Sequence, residues 1–186
     1  MRHADHAIDP LFLRRWSARA MSGEPLTQEQ LFQCLEAARW APSSRNLQHW
    51  RFAWGLHGTP AFDRLFALLR PSNQAWCARA GALVLVACVA HDADGKPWRT
   101  AEFDAGSATM SLLLQATLMG LVAHPMGGFH DDRAVTELRM PPDLRPLVMV
   151  ALGLHGPTQL LPPEQQDKER PSGRHPLAAL AVEGGW

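Results

Sequence analysis

The segment from Ala82 to Ala90, ALVLVACVA, is an unbroken apolar run of small, aliphatic and β-branched side chains. A run of that length suits a strand buried on both faces, because a half-buried strand alternates and a helix is longer. At 186 residues, the chain is long enough to bury such a strand and too short for two domains of ordinary size. We therefore predict a single domain spanning residues 1–186.

Two helices are predicted before the first strand. Asp9 followed by Pro10 is typical of an N-cap with proline at the first helical position. Thr27 and Gln30 form a capping box, and the apolar residues that follow lie on one helical face until Pro42. The polar cluster that begins at Pro42 is therefore predicted to be a loop.

Further elements follow from hydrophobic periodicity and from the positions of proline and glycine. We predict strands over 50–56, 121–123 and 146–153, and helices over 60–70, 101–119 and 131–140. The helix over 101–119 is apolar nearly all round, so we expect it to be central and partly covered by another subunit. Helices and strands do not alternate strictly, and the chain has no glycine-rich dinucleotide fingerprint or phosphate loop.

Composition narrows the class of partner. The chain carries 18 basic and 18 acidic residues, so no global field recruits nucleic acid or an anionic membrane. No apolar run reaches the ~20 residues of a membrane span, and the polar start of the chain does not resemble a signal peptide. These features favour a cytoplasmic protein with a small-molecule partner.

Cysteine and histidine placement does not indicate a metal. The three cysteines lack a Cys-x-x-Cys spacing, which favours buried thiols over a disulfide framework or a zinc site. The segments 91–95 and 130–132 combine His with Asp, but they lack the helical His spacing of a zinc site. We expect the polar side chains of both segments to be solvated and no metal to be bound.

Three polar clusters, far apart in the chain, carry the candidate chemistry. The first has two guanidiniums that flank a hydroxyl, the second has hydroxyls and amides after a helix, and the third is a bare glycine backbone that a ring could approach closely. Their members are Arg15, Trp16, Ser17 and Arg19; Pro42, Ser43, Ser44, Asn46 and Gln48; and Pro125, Met126, Gly127 and Gly128. Together the clusters match the needs of a phosphorylated, planar cofactor, and we predict a flavin mononucleotide (FMN) site.

The same clusters, in this order, resemble the FMN-dependent nitroreductase family. The matching patterns are Arg-x-Ser-x-Arg, then Ala-Pro-Ser-Ser-x-Asn-x-Gln-x-Trp after a long helix, then Asn73 before the buried strand, then Pro-x-Gly-Gly-Phe. The resemblance covers residues 13–180. It implies an α+β, three-layer sandwich whose central, mostly antiparallel sheet is flanked by helices. It also implies a homodimer in which the C-terminal extension, residues 154–186, is exchanged and packs on the partner subunit.

The resemblance also implies residue roles. Arg15 reaches the flavin phosphate and Arg19 the N1 and C2 edge, while the backbone of Gly127 and Gly128 faces N5. The late basic residue that closes on the phosphate is Arg174. The loop that begins at Pro42 supplies phosphate and ring contacts, partly from the opposite subunit, and Asn73 contacts the ring.

The activity implied is a ping-pong hydride transfer. NADH or NADPH is the donor, and a small electron acceptor such as a nitroaromatic or a quinone is the second substrate; no side-chain nucleophile is needed. Two alternatives stay open at this point. One is a flavin-binding carrier or sensor without turnover, and the other is a biosynthetic flavin-dependent oxidase of the same fold.

Overall fold

A four-stranded sheet forms the middle of the protein in the computed structural model, which describes residues 2–185. The strands are β1 (Trp50–Leu56), β2 (Ala82–Val89), β3 (Leu121–Met126) and β4 (Leu144–Leu154). Their order is β1-β2-β4-β3, and every neighbouring pair is antiparallel. The apolar run is the inner strand β2, buried on both faces from Ala82 to Cys88, as predicted.

Seven helices accompany the sheet in this part of the chain. They are α1 (Pro10–Arg14), α2 (Gln28–Arg39), α3 (Pro60–Ala67), α4 (Pro71–Cys77), α5 (Ala101–Leu118), α6 (Asp131–Glu137) and α7 (Pro163–Gln166). The predicted caps are confirmed: Asp9 accepts from the Leu11 N–H, and Thr27 and Gln30 form the capping box of α2. Short 3₁₀ turns lie at Ser44–Asn46, Thr158–Leu160 and Leu177–Ala179.

The helices cover the sheet on both sides and produce a three-layer α+β sandwich. Because side chains alternate along a strand, even-numbered residues of β2 face α2 and α5, where they pack in one core cluster. Odd-numbered residues face α3, α4 and α6 in a second cluster. The predicted fold class and antiparallel sheet are confirmed.

Two elements, β3 and α4, differ from the sequence prediction. Strand β3 continues to Met126, beyond the predicted end at residue 123, because it is an edge strand and an edge tolerates Pro125. Helix α4 was not predicted, and Asn73 therefore lies on a helix rather than in a turn. Helix α5 contributes buried residues to the core, as predicted, while Phe103, Met110 and Leu118 are exposed on it in the single chain; its predicted cover by another subunit stays a prediction.

The last part of the chain begins on its own subunit. Residues 158–169 pack close to the end of β4, with Leu161 buried, whereas every described residue from Arg170 onward is exposed. Exchange of this extension between subunits is therefore not shown. No helix within residues 2–185 combines the length and hydropathy needed to cross a membrane.

Candidate functional site

The segment that carries Arg15, Ser17 and Arg19 is extended and firmly held at its C-terminal end. It runs beside the end of β4, where the Gly156 N–H donates to the Ala20 carbonyl at 2.9 Å. The carboxylate of Glu169 accepts the N–H groups of Arg19 and Ala20, each at 2.9 Å, and this side chain is only 1% exposed. A buried carboxylate thus fixes the backbone next to the predicted ring-edge contact.

Two other guanidiniums lie near that of Arg15. Burial lowers the pKa of Arg15, and the positive charges of Arg2 and Arg174 lower it further. No acidic side chain lies within ion-pair distance of these three guanidiniums in the described residues. Trp16 is half-buried, and its ring centroid lies 5.9 Å from that of His155 in an edge-to-face arrangement. The cluster is therefore an uncompensated positive site of the kind that binds an anion.

A chain of contacts joins this segment to the glycine strip, Gly127 and Gly128. The Ala18 carbonyl is 3.1 Å from Nδ1 of His124, whose ring is 4.6 Å from that of Trp76. Trp76 donates from Nε1 to Oδ1 of Asn73 at 3.3 Å, and Asn73 donates from Nδ2 to the Gly128 carbonyl at 2.9 Å. The first and third predicted clusters, together with Asn73, are therefore linked by side-chain contacts alongside β3.

Burial lowers the pKa of His124 to about 4, and the smaller repulsion by Arg19 acts in the same direction. The ring is therefore neutral at pH 7. A neutral imidazole that donates from Nδ1 to the Ala18 carbonyl keeps Nε2 as an acceptor. His124 thus adds no charge to the basic cluster.

The two glycines differ in what surrounds them. A Cβ on Gly127 would meet no atom within 4 Å, whereas a Cβ on Gly128 would lie 2.6 Å from Nδ2 of Asn73. Met126 is buried and Pro125 is half-buried, so their side chains face the protein. Gly127 is the position where a flat ring could contact bare backbone.

The loop from Pro42 to Gln48 forms a second, separate group. Arg45, Asn46 and Gln48 adopt left-handed φ angles of 53°, 57° and 52°, which is uncommon outside glycine and concentrates at functional sites. Ser43 Oγ accepts the Gln48 N–H at 3.0 Å, while Pro42, Asn46 and Gln48 are exposed. The loop therefore holds a defined shape with polar groups toward solvent.

A buried acid at the start of α5 anchors this loop. Oδ2 of Asp104 accepts the Ser44 N–H at 3.2 Å and the Thr100 hydroxyl at 3.4 Å. It also lies 3.8 Å from Nε2 of His49, which has no hydrogen-bond partner among residues 2–185. His49 and Asp104 are 3% and 2% exposed, so the loop is attached to the core through a His–Asp pair.

The structure thus brings the predicted residues together in two sets rather than one. Within the described chain, no hydrogen bond joins the loop of Pro42 to the set that contains Arg15 and Gly128. Sequence reasoning missed five residues that support the two sets: Arg2, His49, Asp104, His124 and Glu169. His49 lies within one recognised pattern and His124 directly precedes another. Arg2, Asp104 and Glu169 lie outside every recognised pattern, so no local signal could have revealed those three. Residues 2–185 contain no group of three or more His, Cys, Asp or Glu side chains arranged for a metal.

Comparison with known proteins identifies the family. The model of the nitroreductase family matches residues 13–62 and 59–154. A solved structure described as an oxidoreductase containing FMN is 40% identical, with a TM-score of 0.96 over 100% of this chain and 96% of that chain. An uncharacterized 15.4 kDa protein from the ask 5′ region of Mycolicibacterium smegmatis is 35% identical over 67% of this chain and 84% of its own length.

A more distant relative from Leptothrix cholodnii is provisionally named NADH dehydrogenase/NAD(P)H nitroreductase. It is 27% identical over 84% of this chain and 89% of its own length. The chain belongs to the nitroreductase family, which is a family of oxidoreductases.

Proposed function

We propose that this protein binds FMN and uses NADH or NADPH to reduce small electron-poor acceptors, with nitroaromatics and quinones as the first substrates to test. One observation carries the proposal: a basic cluster without acidic partners in the described residues is linked, by contacts through His124 and Asn73, to the backbone beside the open position of Gly127. The 40% identical structure contains FMN, and the Leptothrix relative is named for NAD(P)H.

The residues present fit that cofactor. Arg15 and Arg174 would hold the phosphate, since charge-assisted hydrogen bonds from guanidinium to phosphate are strong and directional. Arg19 would place a cation at the N1 edge, with Ser17 nearby. The backbone N–H groups of Gly127 and Gly128 would face N5. When bound, FMN supplies hydride acceptance from a nicotinamide and delivery to a second substrate in a ping-pong cycle.

We further propose that the complete site needs two copies of the chain. The loop of Pro42, Ser43, Ser44, Asn46 and Gln48 is separate from the Arg15 set within one chain, so a second copy would supply it. Helix α5 presents Phe103, Met110 and Leu118 to solvent, which supports a protein partner on that face. The exposed tail carries Leu177, Leu180 and Val182. An aromatic groove of 820 Å³ between α2 and β1 of the second copy is a candidate binding site for it.

The test is direct. Purified protein is expected to be yellow as a dimer, and NADH or NADPH under argon should bleach the flavin; adding a nitroaromatic or a quinone should then restore the colour. A protein that stays colourless with excess FMN would refute the proposal. Flavin that is bound but never bleached by either nicotinamide would identify a carrier or sensor. Oxidation by oxygen alone, with both acceptors inert, would identify a biosynthetic oxidase.

A further inference from the structure

The N-terminal arm, residues 2–9, closes on the C-terminal tail beside Arg15. Arg2 donates from Nη1 to the carbonyls of Leu13 at 2.9 Å and Arg15 at 2.6 Å, and from Nε to the carbonyl of Ser172 at 2.9 Å. The Leu177 N–H donates to Oδ2 of Asp5 at 2.7 Å. The arm thus joins two segments that are more than 150 positions apart in the chain.

The contact between arm and tail brings three positively charged side chains together. The guanidinium of Arg2 lies near those of Arg15 and Arg174, and no acidic side chain pairs with any of them in the described residues. Burial and the charge of Arg174 lower the pKa of Arg2. Three cations held together without a counter-ion repel one another, so the arrangement favours an anion.

The cavity next to these guanidiniums is also lined mainly by basic and histidine side chains among its polar residues. A cavity of 520 Å³ lies between the arm and the tail, and its lining includes Arg2 and Arg174 together with His3, His6 and His175. Asp5 is the one acidic residue among the described residues that line it, and its carboxylate is engaged by the tail backbone. Both N–H bonds of Nη2 of Arg2 have no protein acceptor in the described residues.

We propose that Arg2 is a third guanidinium of the phosphate-binding site for FMN, delivered by the N-terminal arm to the side of Arg15 and Arg174. This inference rests on the proposed function. The carbonyls of Leu13, Arg15 and Ser172 orient the guanidinium plane, and Nη2 donates to a phosphate oxygen. A phosphate dianion offers enough acceptors for three arginines, and the planar fork of each suits them.

The experiment compares FMN with riboflavin, which has the same ring and no phosphate. Dissociation constants are measured by flavin fluorescence on the full-length, deflavinated protein. Wild type should bind FMN more tightly than riboflavin. Arg2→Gln should weaken FMN binding by about tenfold and leave riboflavin binding unchanged, and Arg2→Lys should restore part of the loss. Arg14→Gln, an exposed neighbour in α1, is the matched control and should preserve the ratio.

Several outcomes overturn the inference. Equal weakening of both flavins by Arg2→Gln would make Arg2 a structural clasp between arm and tail, and unchanged affinities would remove it from the site. If inorganic phosphate raises the Tm of FMN-loaded wild type but not of FMN-loaded Arg2→Gln, Arg2 serves a separate phosphate site. If wild type binds neither flavin, the proposed function itself fails.

Discussion

At the scale of single residues, substitutions at the two glycines after β3 test flavin binding and fold stability separately. Gly127→Ala adds a methyl group into open space, so the stability of the flavin-free protein should change by less than about 0.5 kcal/mol. If a flavin ring lies against this backbone, its affinity should fall by about tenfold, because the methyl group occupies the contact. Fluorescence titration and urea denaturation measure the two effects.

Gly128→Ala is the matched comparison. Its Cβ would lie 2.6 Å from Nδ2 of Asn73, so the Asn73 hydrogen bond to the Gly128 carbonyl should be displaced. The free energy of unfolding should then fall by about 1 kcal/mol even without flavin. Wild-type flavin affinity in Gly127→Ala would show that the ring does not touch the strip.

The lowered pKa of His124 predicts that the stability of the fold depends on pH. Its pKa is about 4 in the folded protein, against an ordinary value of 6.5. Between those values the unfolded chain binds a proton that the folded protein does not, so stability is full above pH 6.5 and is lost as pH falls toward 4. The whole loss from this group is about 3 kcal/mol.

Urea denaturation at several pH values measures this loss. His124→Asn can keep a donor to the Ala18 carbonyl and does not titrate, so its stability should fall less than that of wild type between pH 6.5 and 4. His91→Asn, in an exposed loop, should follow the wild-type curve. Parallel curves for wild type and His124→Asn would contradict the assignment.

At the scale of elements, Asp104 connects helix α5 to the loop of Pro42–Gln48. Asp104→Ala leaves the Ser44 N–H and the Thr100 hydroxyl without their acceptor and removes the carboxylate that lies 3.8 Å from Nε2 of His49. We expect a loss of about 2–3 kcal/mol in the free energy of unfolding, measured in urea. Since the loop adopts left-handed φ angles, weaker anchoring should also lower flavin affinity.

Glu102→Ala is the control for this prediction. Glu102 lies on the same helical turn and pairs with Arg145, but both side chains are more than half exposed. Its loss should therefore be below about 1 kcal/mol. Equal effects of the two substitutions would show that Asp104 does not anchor the loop.

Elements with strong local signals could be predicted from the sequence. The capping box of Thr27 and Gln30 and the apolar run of β2 are both short-range patterns, and both are confirmed. Helix α4 was missed because its seven residues are too few to show periodicity and Arg70, at its N-cap, gives no capping signal of the kind that Asp9 gives for α1. The extension of β3 through Pro125 depends on that strand being at the edge, which is decided by the whole sheet.

The candidate site shows the same division. Patterns in the sequence identified residues such as Arg15 and Gly128 as chemically suited to a cofactor. Glu169 lies 150 positions from Arg19, whose N–H it accepts, and Arg2 joins the carbonyl of Arg15 to that of Ser172, which is 170 positions from Arg2. Such pairs arise from tertiary packing, which no single-sequence pattern reports.

At the scale of the whole molecule, one chain exposes more area than a compact monomer of its mass, as the proposed dimer requires. A compact monomer of 20.6 kDa exposes about 8,900 Å², whereas this chain exposes 11059 Å². The excess of roughly 2,000 Å² is of the order that stable protein interfaces bury. Part of it belongs to the exposed tail and part to the apolar face of α5.

The last prediction concerns that face of α5. Phe103 is 76% exposed, and Met110 and Leu118 follow it on the outer side of the same helix. Phe103→Asp places a charge within the expected contact, where burial without a partner is costly, so light scattering should report a monomer. Because the loop of Pro42–Gln48 would then be withdrawn from the neighbouring site, flavin content should fall with the dimer.

Val135→Asp is the control for this prediction. Val135 is an exposed apolar position on α6 in the opposite layer, so its substitution should leave the dimer and the flavin content unchanged. A Phe103→Asp protein that remains dimeric and yellow would mean that the second copy binds elsewhere.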